Sequence, residues 1–182
     1  MSLKIVFMGT PEFSIPSLKV LKESKHKIVC VYTQPPKKKS RGQKIQKTAV
    51  HIFSENEGIK VKTDMLNDEN EYENFIKLNP DIVVVVAYGQ IIPDIYLKKS
   101  DLIFLNLHAS LLPKWRGAAP IERAILNKDK ETGISIMKIE KKLDAGPFIK
   151  QVTVKIDKET TSGELNKKLS TLGAKALMET IE

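Results

Sequence analysis

The stretch "DIVVVVAYGQIIP", residues 81–93, decides the fold. Ile82 to Val86 is an unbroken β-branched run, and Gly89 and Pro93 punctuate the segment after it. A strand with one wet face alternates apolar and polar residues. This run has no polar position, so both of its faces must be covered, as in a central strand of a parallel sheet. Parallel neighbours need crossover connections, and the flanks supply them. Asp68–Leu78 reads as a helix with an acidic start, ended by "NPD" at 79–81, and Leu102–Leu107 reads as the next strand.

Further out the alternation of strand and helix continues. Lys4–Met8 ("KIVFM") is a short apolar strand closed by the turn "GTPEF" at 9–13. Ser14 is placed to cap a helix with Pro16 in its first turn, and Ile15, Leu18 and Leu21 repeat at helical spacing to about Lys25. Ile28–Thr33 is a second strand, "TAVHIFSENEG" at 48–58 a helix stopped by Gly58, and Ile59–Lys62 a short strand. On the other side, Ala118–Leu126 is helical, and Gly133–Ile139 and Phe148–Ile156 are strands. Ser162–Ile181 is an amphipathic helix with Leu165, Leu169, Leu172 and Ala176 inward. No repeat or linker interrupts this order. The expectation is one α/β domain over residues 1–182: an open, mostly parallel twisted sheet with helices on both faces, taking its ligand beyond the carboxyl ends of the strands.

Composition narrows the function. The single cysteine, Cys30, excludes an internal disulfide framework and suits a reducing compartment. No stretch approaches the roughly 18 apolar residues of a membrane span, and the N-terminus lacks a signal-peptide layout. A soluble, cytoplasmic monomer with no membrane partner is expected. The net charge is +8, and it is unevenly placed. Between Lys25 and Ser54 no acidic residue occurs, while Lys25, Lys27, Lys37, Lys38, Lys39, Arg41, Lys44 and Lys47 all fall there; the other 22 basic residues match the 22 acidic ones. The core of that segment, "PPKKKSRGQKIQK" at 35–47, reads as a long flexible loop: either a solvated surface or a contact for a polyanion.

A nicotinamide dinucleotide is the obvious ligand for such a sheet. The first turn argues against it, having one glycine and a proline where the dinucleotide fingerprint needs three glycines. The turn reads as punctuation that can line a pocket.

The richest polar sequence is "NLHASLLPKWRGAAPIERA" at 106–124, directly after a strand. Asn106 and His108 sit two apart, so on a strand their side chains share a face. An amide that donates without titrating and an imidazole that can carry a proton suit an oxygen gaining negative charge in acyl transfer. A polar strand end with a satisfied histidine is the plainer alternative. Asp144, in the turn "DAGP", is a candidate third partner that could orient the imidazole, or it could bond only its own turn. His26 and His51 are placed on surface segments, and no metal-ligand spacing appears, so no metal is expected.

"NLHASLLPKWRGAAPI" together with "LDAGP" resembles the folate-dependent formyltransferase family, whose pattern is Asn-x-His-x-Ser-Leu-Leu-Pro followed downstream by Asp-x-Gly. Within that family, "FMGTPEF", "VVVVAYGQIIP" and "WRGAAPI" are similar to the members that formylate the methionine carried on initiator tRNA. The resemblance runs from Ile5 to the last helix. It implies a Rossmann-like catalytic domain with Asn106, His108 and Asp144 as the catalytic trio and 10-formyltetrahydrofolate as formyl donor. Ser110, Leu111, Leu112 and Pro113 would form a turn holding the reduced folate, and the backbone of Tyr88, Gly89, Gln90, Ile91 and Ile92 would line its pterin pocket. Lys37, Lys38, Lys39, Arg41, Gly42 and Lys44 fall where the family inserts an arm that clasps initiator methionyl-tRNA. Ala109 stands where the motif commonly has Gly or Pro, and "KKKS" stands where relatives carry prolines and small residues. The resemblance covers the family's catalytic domain, so its C-terminal β-barrel domain is expected to be absent from this chain. Two rival expectations are a small amine acceptor, such as glycinamide ribonucleotide or an amino sugar nucleotide, and a non-catalytic RNA-binding module.

Overall fold

The computed structural model describes residues 1–39 and 44–182 of the chain. Strand β1 (Lys4–Gly9) leads through a 3-10 turn into helix α1 (Ile15–Glu23), and β2 (Lys27–Tyr32) returns beside β1. Next come β3 (Lys37–Lys39), β4 (Lys44–Gln46), α2 (Ala49–Asn56), β5 (Val61–Lys62) and α3 (Glu69–Lys77). The decisive stretch forms β6 (Ile82–Val86), buried at every position, and α4 (Asp94–Leu97) follows it. Then β7 (Ile103–His108), α5 (Pro120–Leu126), β8 (Glu131–Lys138), β9 (Phe148–Lys155) and α6 (Ser162–Ile181) complete the chain.

Seven strands form one sheet in the order β5-β2-β1-β6-β7-β8-β9. The first five run parallel, and β8 and β9 are antiparallel additions at one edge. Each face carries its own apolar layer. Along β1, Ile5 and Phe7 face one layer, with α1, α5 and α6, whereas Val6 and Met8 face the other, with Phe75 of α3 and Tyr96 of α4. That is why β6 tolerates no polar residue. Truncating one of these fully buried aromatics costs about 3–5 kcal/mol of stability through lost transfer energy and the cavity left behind.

Caps set the helix starts. Asp68 accepts from the backbone N–H groups of Asn70 and Glu71, and Thr161 and Glu164 bond reciprocally at the start of α6. The connections run from β1 to β2 and β5 on one side, then cross back to β6 and β7 on the other. The crossing opens a crevice past the paired ends Gly9 and Val86, where such sheets bind ligands.

Three expectations change. The basic segment is not simply a loop: Lys37–Lys39 and Lys44–Gln46 pair as an antiparallel ribbon. Arg41 and Gly42 lie outside the described residues. His26 is buried, its Nδ1 accepting from the Leu3 backbone N–H at 3.2 Å, and the His51 side chain is mostly covered. The helix expected from Ala118 begins at Pro120, because Ala119 takes left-handed backbone (φ 53°) that no α-helix continues through.

Candidate active site

Alternation along β7 sets the direction of the polar pair. Leu105 and Leu107 enter the layer under α6, and Phe104 enters the opposite one. Asn106 and His108 continue the Phe104 face. Because Leu107 pairs with Val86, the last residue of β6, His108 projects past the end of its neighbour and into the crevice. The loop between β8 and β9 starts beside β7, where Ile139 N–H donates to Phe104 O at 2.8 Å, and folds back to bring Asp144 against this pair.

The three side chains meet. Asn106 Nδ2 donates to Asp144 Oδ1 at 3.3 Å, and His108 Nδ1 lies 3.6 Å from Asp144 Oδ2, an ion-pair approach rather than a direct hydrogen bond. Gly117 N–H donates to Asp144 Oδ2 at 2.8 Å. Gly117 has φ +81°, which a side chain would strain. On the far side of the ring, His108 Nε2 and the carbonyl of Trp115 are 2.9 Å apart. A carbonyl only accepts, so Nε2 carries the proton, and Nδ1 is the nitrogen that faces Asp144. Both His108 and Asp144 are largely shielded from water, their side chains 8% and 10% exposed.

The trio opens into a cleft of about 1270 Å³. Thr10–Phe13 of the first turn line it, so this turn borders the pocket as well as closing β1. Tyr88, Gly89, Gln90, Ile91 and Ile92 line it as well. The Tyr88 side chain turns inward, and burial pushes its phenol above the ordinary range, which keeps it neutral. The first turn holds this loop: Thr10 Oγ1 donates to Tyr88 O and Ser14 Oγ to Val86 O, each at 2.7 Å. Gln90 Nε2 is buried without a hydrogen-bond partner among the described residues.

Ser110, Leu111, Leu112 and Pro113 are not among the residues lining the cleft. Ser110 is fully buried and donates to Lys114 O, while Ser135 Oγ donates to Ser110 O at 2.7 Å and accepts from Leu112 N–H at 3.0 Å. The turn braces the wall behind His108 instead of forming the pocket. Four of the six non-glycine residues with positive φ among the described residues border the site: Ala87, Trp115, Ala119 and Asp144. Backbone of this kind costs energy and gathers where a site needs a set geometry.

Neither the Trp115 carbonyl nor the Gly117 N–H is legible in the sequence. Main-chain groups leave no residue-type signal, although the glycine in "WRGAAPI" was an available hint. Lys47, Thr48 and Asn166 also line the cleft, from elements whose approach no local pattern announces. No group of three or more His, Cys, Asp or Glu side chains among the described residues is placed to hold a metal. No helix among them is long and apolar enough to cross a membrane.

The profile of the formyl transferase family matches residues 3–181. The chain is 50% identical to a methionyl-tRNA formyltransferase of Pelagibacter ubique and 48% identical to one of Coxiella burnetii, in each case over 100% of this chain but only 59% and 58% of the relative. Its fold is similar to that of phosphoribosylglycinamide formyltransferase from Anaplasma phagocytophilum, with a TM-score of 0.79 and 20% identity, covering 100% of this chain and 86% of that one. A formyltetrahydrofolate deformylase from Pseudomonas syringae aligns with a TM-score of 0.77 and 21% identity, over 100% of this chain and 60% of the other.

Proposed function

The chain belongs to the formyl transferase family, and on that basis we propose that it transfers the formyl group of 10-formyltetrahydrofolate to the α-amino group of methionine carried on initiator tRNA. The observation that carries this reading is the convergence of Asn106, His108 and Asp144 at the carboxyl end of β7, inside a cleft. The names of the two relatives above support the choice of acceptor. The chain spans about three fifths of those relatives' length. We assign it the catalytic part, with a second domain holding the far side of the RNA.

The cleft fits the donor. Its volume exceeds the roughly 300–1,000 Å³ of ordinary small-molecule sites, leaving room for a folate and the entering amine. The Tyr88–Ile92 backbone, with the unpartnered Gln90 amide, offers the edge-on polar groups that a flat heterocycle needs. The Ser110–Pro113 turn supports this wall from behind.

The bound folate supplies the formyl carbon and a nitrogen leaving group. In the transfer, a bond forms between the amine nitrogen and that carbon, the bond to the folate nitrogen breaks, and one amine proton ends on the departing nitrogen. Asn106, with one amide hydrogen on Asp144, has the other free for the formyl oxygen as it gains charge. His108, anchored through Nε2, presents Nδ1 on the same side, and as imidazolium it donates from there. Asp144 holds both donors, keeps a lone pair for the amine proton, directly or through a water, and counters the charge on His108. Such positioned acid–base help is worth about 10²–10⁴ in rate. We assign the tRNA phosphates to the basic segment, with the exposed Lys37 and Lys38 and, from the sequence, Lys39, Arg41, Gly42 and Lys44 as their partners.

Formyl transfer by the full-length gene product, measured with methionyl-tRNA and with glycinamide ribonucleotide as acceptors, tests the assignment. Transfer to methionyl-tRNA alone is expected. Transfer to the small amine alone would move the chain to another branch of the family, and transfer to neither, with RNA still bound, would leave a binding module.

A further inference from the structure

One feature near the site serves neither the cleft wall nor the core. Trp115, the only tryptophan, has left-handed backbone with φ 59°, a conformation that is strained for a bulky side chain. Its side chain is held on three sides. Indole Nε1 donates to Asp129 Oδ2 at 2.7 Å, the Lys114 ammonium lies 5.3 Å from the ring centroid, and the Arg123 guanidinium lies 4.7 Å from it. Asp129 is anchored in turn: its Oδ1 accepts from Lys114 Nζ at 2.8 Å and Asn127 Nδ2 at 2.7 Å, and its backbone N–H donates to Ala124 O of α5.

The main chain through this tryptophan is pinned at every step. The carbonyl of Lys114 accepts from Ser110, that of Trp115 meets His108 Nε2, that of Arg116 accepts from Arg123 Nη1 at 2.8 Å, and the N–H of Gly117 donates to Asp144. Two of these four contacts go to His108 and Asp144. A turn built only for stability does not need a strained tryptophan whose carbonyl ends on an imidazole nitrogen.

We propose that Trp115 and Asp129 are a positioning pair for His108: the indole–carboxylate bond holds the Trp115 carbonyl against Nε2, fixing the Nε2–H tautomer so that Nδ1 is the nitrogen presented to Asp144 and the cleft. The catalytic consequence rests on the proposed role of His108, whereas the tautomer itself does not. Without the anchor the strained backbone relaxes, the carbonyl leaves Nε2, and the imidazole samples both tautomers and a wider range of ring angles. A displacement of about 1 Å at a reacting group can cost on the order of 10²-fold in rate.

The test uses Trp115→Phe, which keeps an aromatic ring between the two cations but removes the N–H donor together with part of the indole, and Asp129→Ala, which removes the acceptor and leaves the indole whole. Two-bond ¹H–¹⁵N spectra of the imidazoles, taken on this chain at a pH where His108 is neutral, read the tautomer. The unaltered chain is expected to show His108 as Nε2–H alone, and Trp115→Phe a mixture with Nδ1–H, the patterns of His26 and His51 staying unchanged. In the full-length gene product the same variant should lower kcat by about 10-fold to 100-fold and leave the KM for folate near its starting value. A pure Nε2–H pattern retained in Trp115→Phe overturns the positioning pair, whatever Asp129→Ala does. A shifted tautomer with unchanged kcat supports the pair and strikes instead at the catalytic role of His108.

Discussion

Asp144→Asn isolates the charge at the centre of the site, because it preserves the shape of the side chain. The carboxylate accepts on both oxygens, from Asn106 Nδ2 at 3.3 Å and from Gly117 N–H at 2.8 Å. An amide has one oxygen. If that oxygen keeps the shorter bond to Gly117, the new NH₂ faces the amide of Asn106, which must flip to accept from it. The fold loses a hydrogen bond to a charged group, worth about 1.5–3 kcal/mol, and recovers part of it through the flipped amide. A net loss of about 1–2 kcal/mol lowers Tm by roughly 2–8 °C in a chain of this size. The transition state loses more. At the 3.6 Å separation from His108 Nδ1, an effective dielectric constant of about 20 gives a Coulomb attraction of about 4–5 kcal/mol, an upper bound that partial solvation reduces. At about 1.4 kcal/mol per factor of ten, kcat should fall by about 10²–10³. Single-turnover formyl transfer to methionyl-tRNA measures this, and thermal melting with a stable reduced-folate analogue checks that the pocket survives. At 100 times its Kd the analogue adds about 2.7 kcal/mol to both proteins. A kcat within about fivefold of the unaltered enzyme, in a variant that still binds the analogue, would show that the Asp144 charge takes no part in the chemistry.

Three further outcomes rest on other parts of the molecule. Replacing Lys37, Lys38, Lys39 and Arg41 by alanine should flatten the salt dependence of tRNA binding by about 0.7–0.9 log units for each phosphate no longer neutralised, and filter-binding slopes identical to those of the parent would reduce the ribbon to a solvated surface. Cys30 is fully buried, and burial pushes its thiol up to about 11, so iodoacetamide at pH 8 should label it only after urea unfolding; rapid labelling of the folded chain would contradict the packing between β1 and β2. Burial raises the Asp129 carboxyl, but hydrogen bonds from Lys114, Asn127 and Trp115 outweigh it and leave the group below its ordinary value. A depressed carboxyl contributes stability that is present above the unfolded value of about 3.9 and is lost as pH falls through the lower folded value, so Asp129→Asn should show a shallower decline of Tm on acidification below about pH 4. Parallel acid limbs for the two proteins would mean that the carboxylate is not held this way.

What the sequence determined by itself is the layering. Apolar period and turn chemistry are local properties, written within a few residues of where they act. The continuous run Ile82–Val86 could only be covered on both faces, "GTPEF" could not hold a dinucleotide, and the two-residue spacing of Asn106 and His108 put them on one face of whatever strand they joined. The tertiary structure decided everything that depends on distant segments meeting. Asp144 reaches Asn106 across 38 positions only because β8 runs antiparallel to β7 and its loop folds back along the same strand. His26 looked like a surface residue because its own segment is polar; it is buried where Leu3, just ahead of β1, comes alongside the start of β2. The resemblance placed Ser110–Pro113 against the folate, yet the direction of the turn is set by Ser135 on a neighbouring strand. The groups that hold His108 and Asp144, a tryptophan carbonyl and a glycine N–H, belong to the main chain. Every residue carries those two groups, so no sequence pattern marks which will be used; only the path of the chain through space selects them.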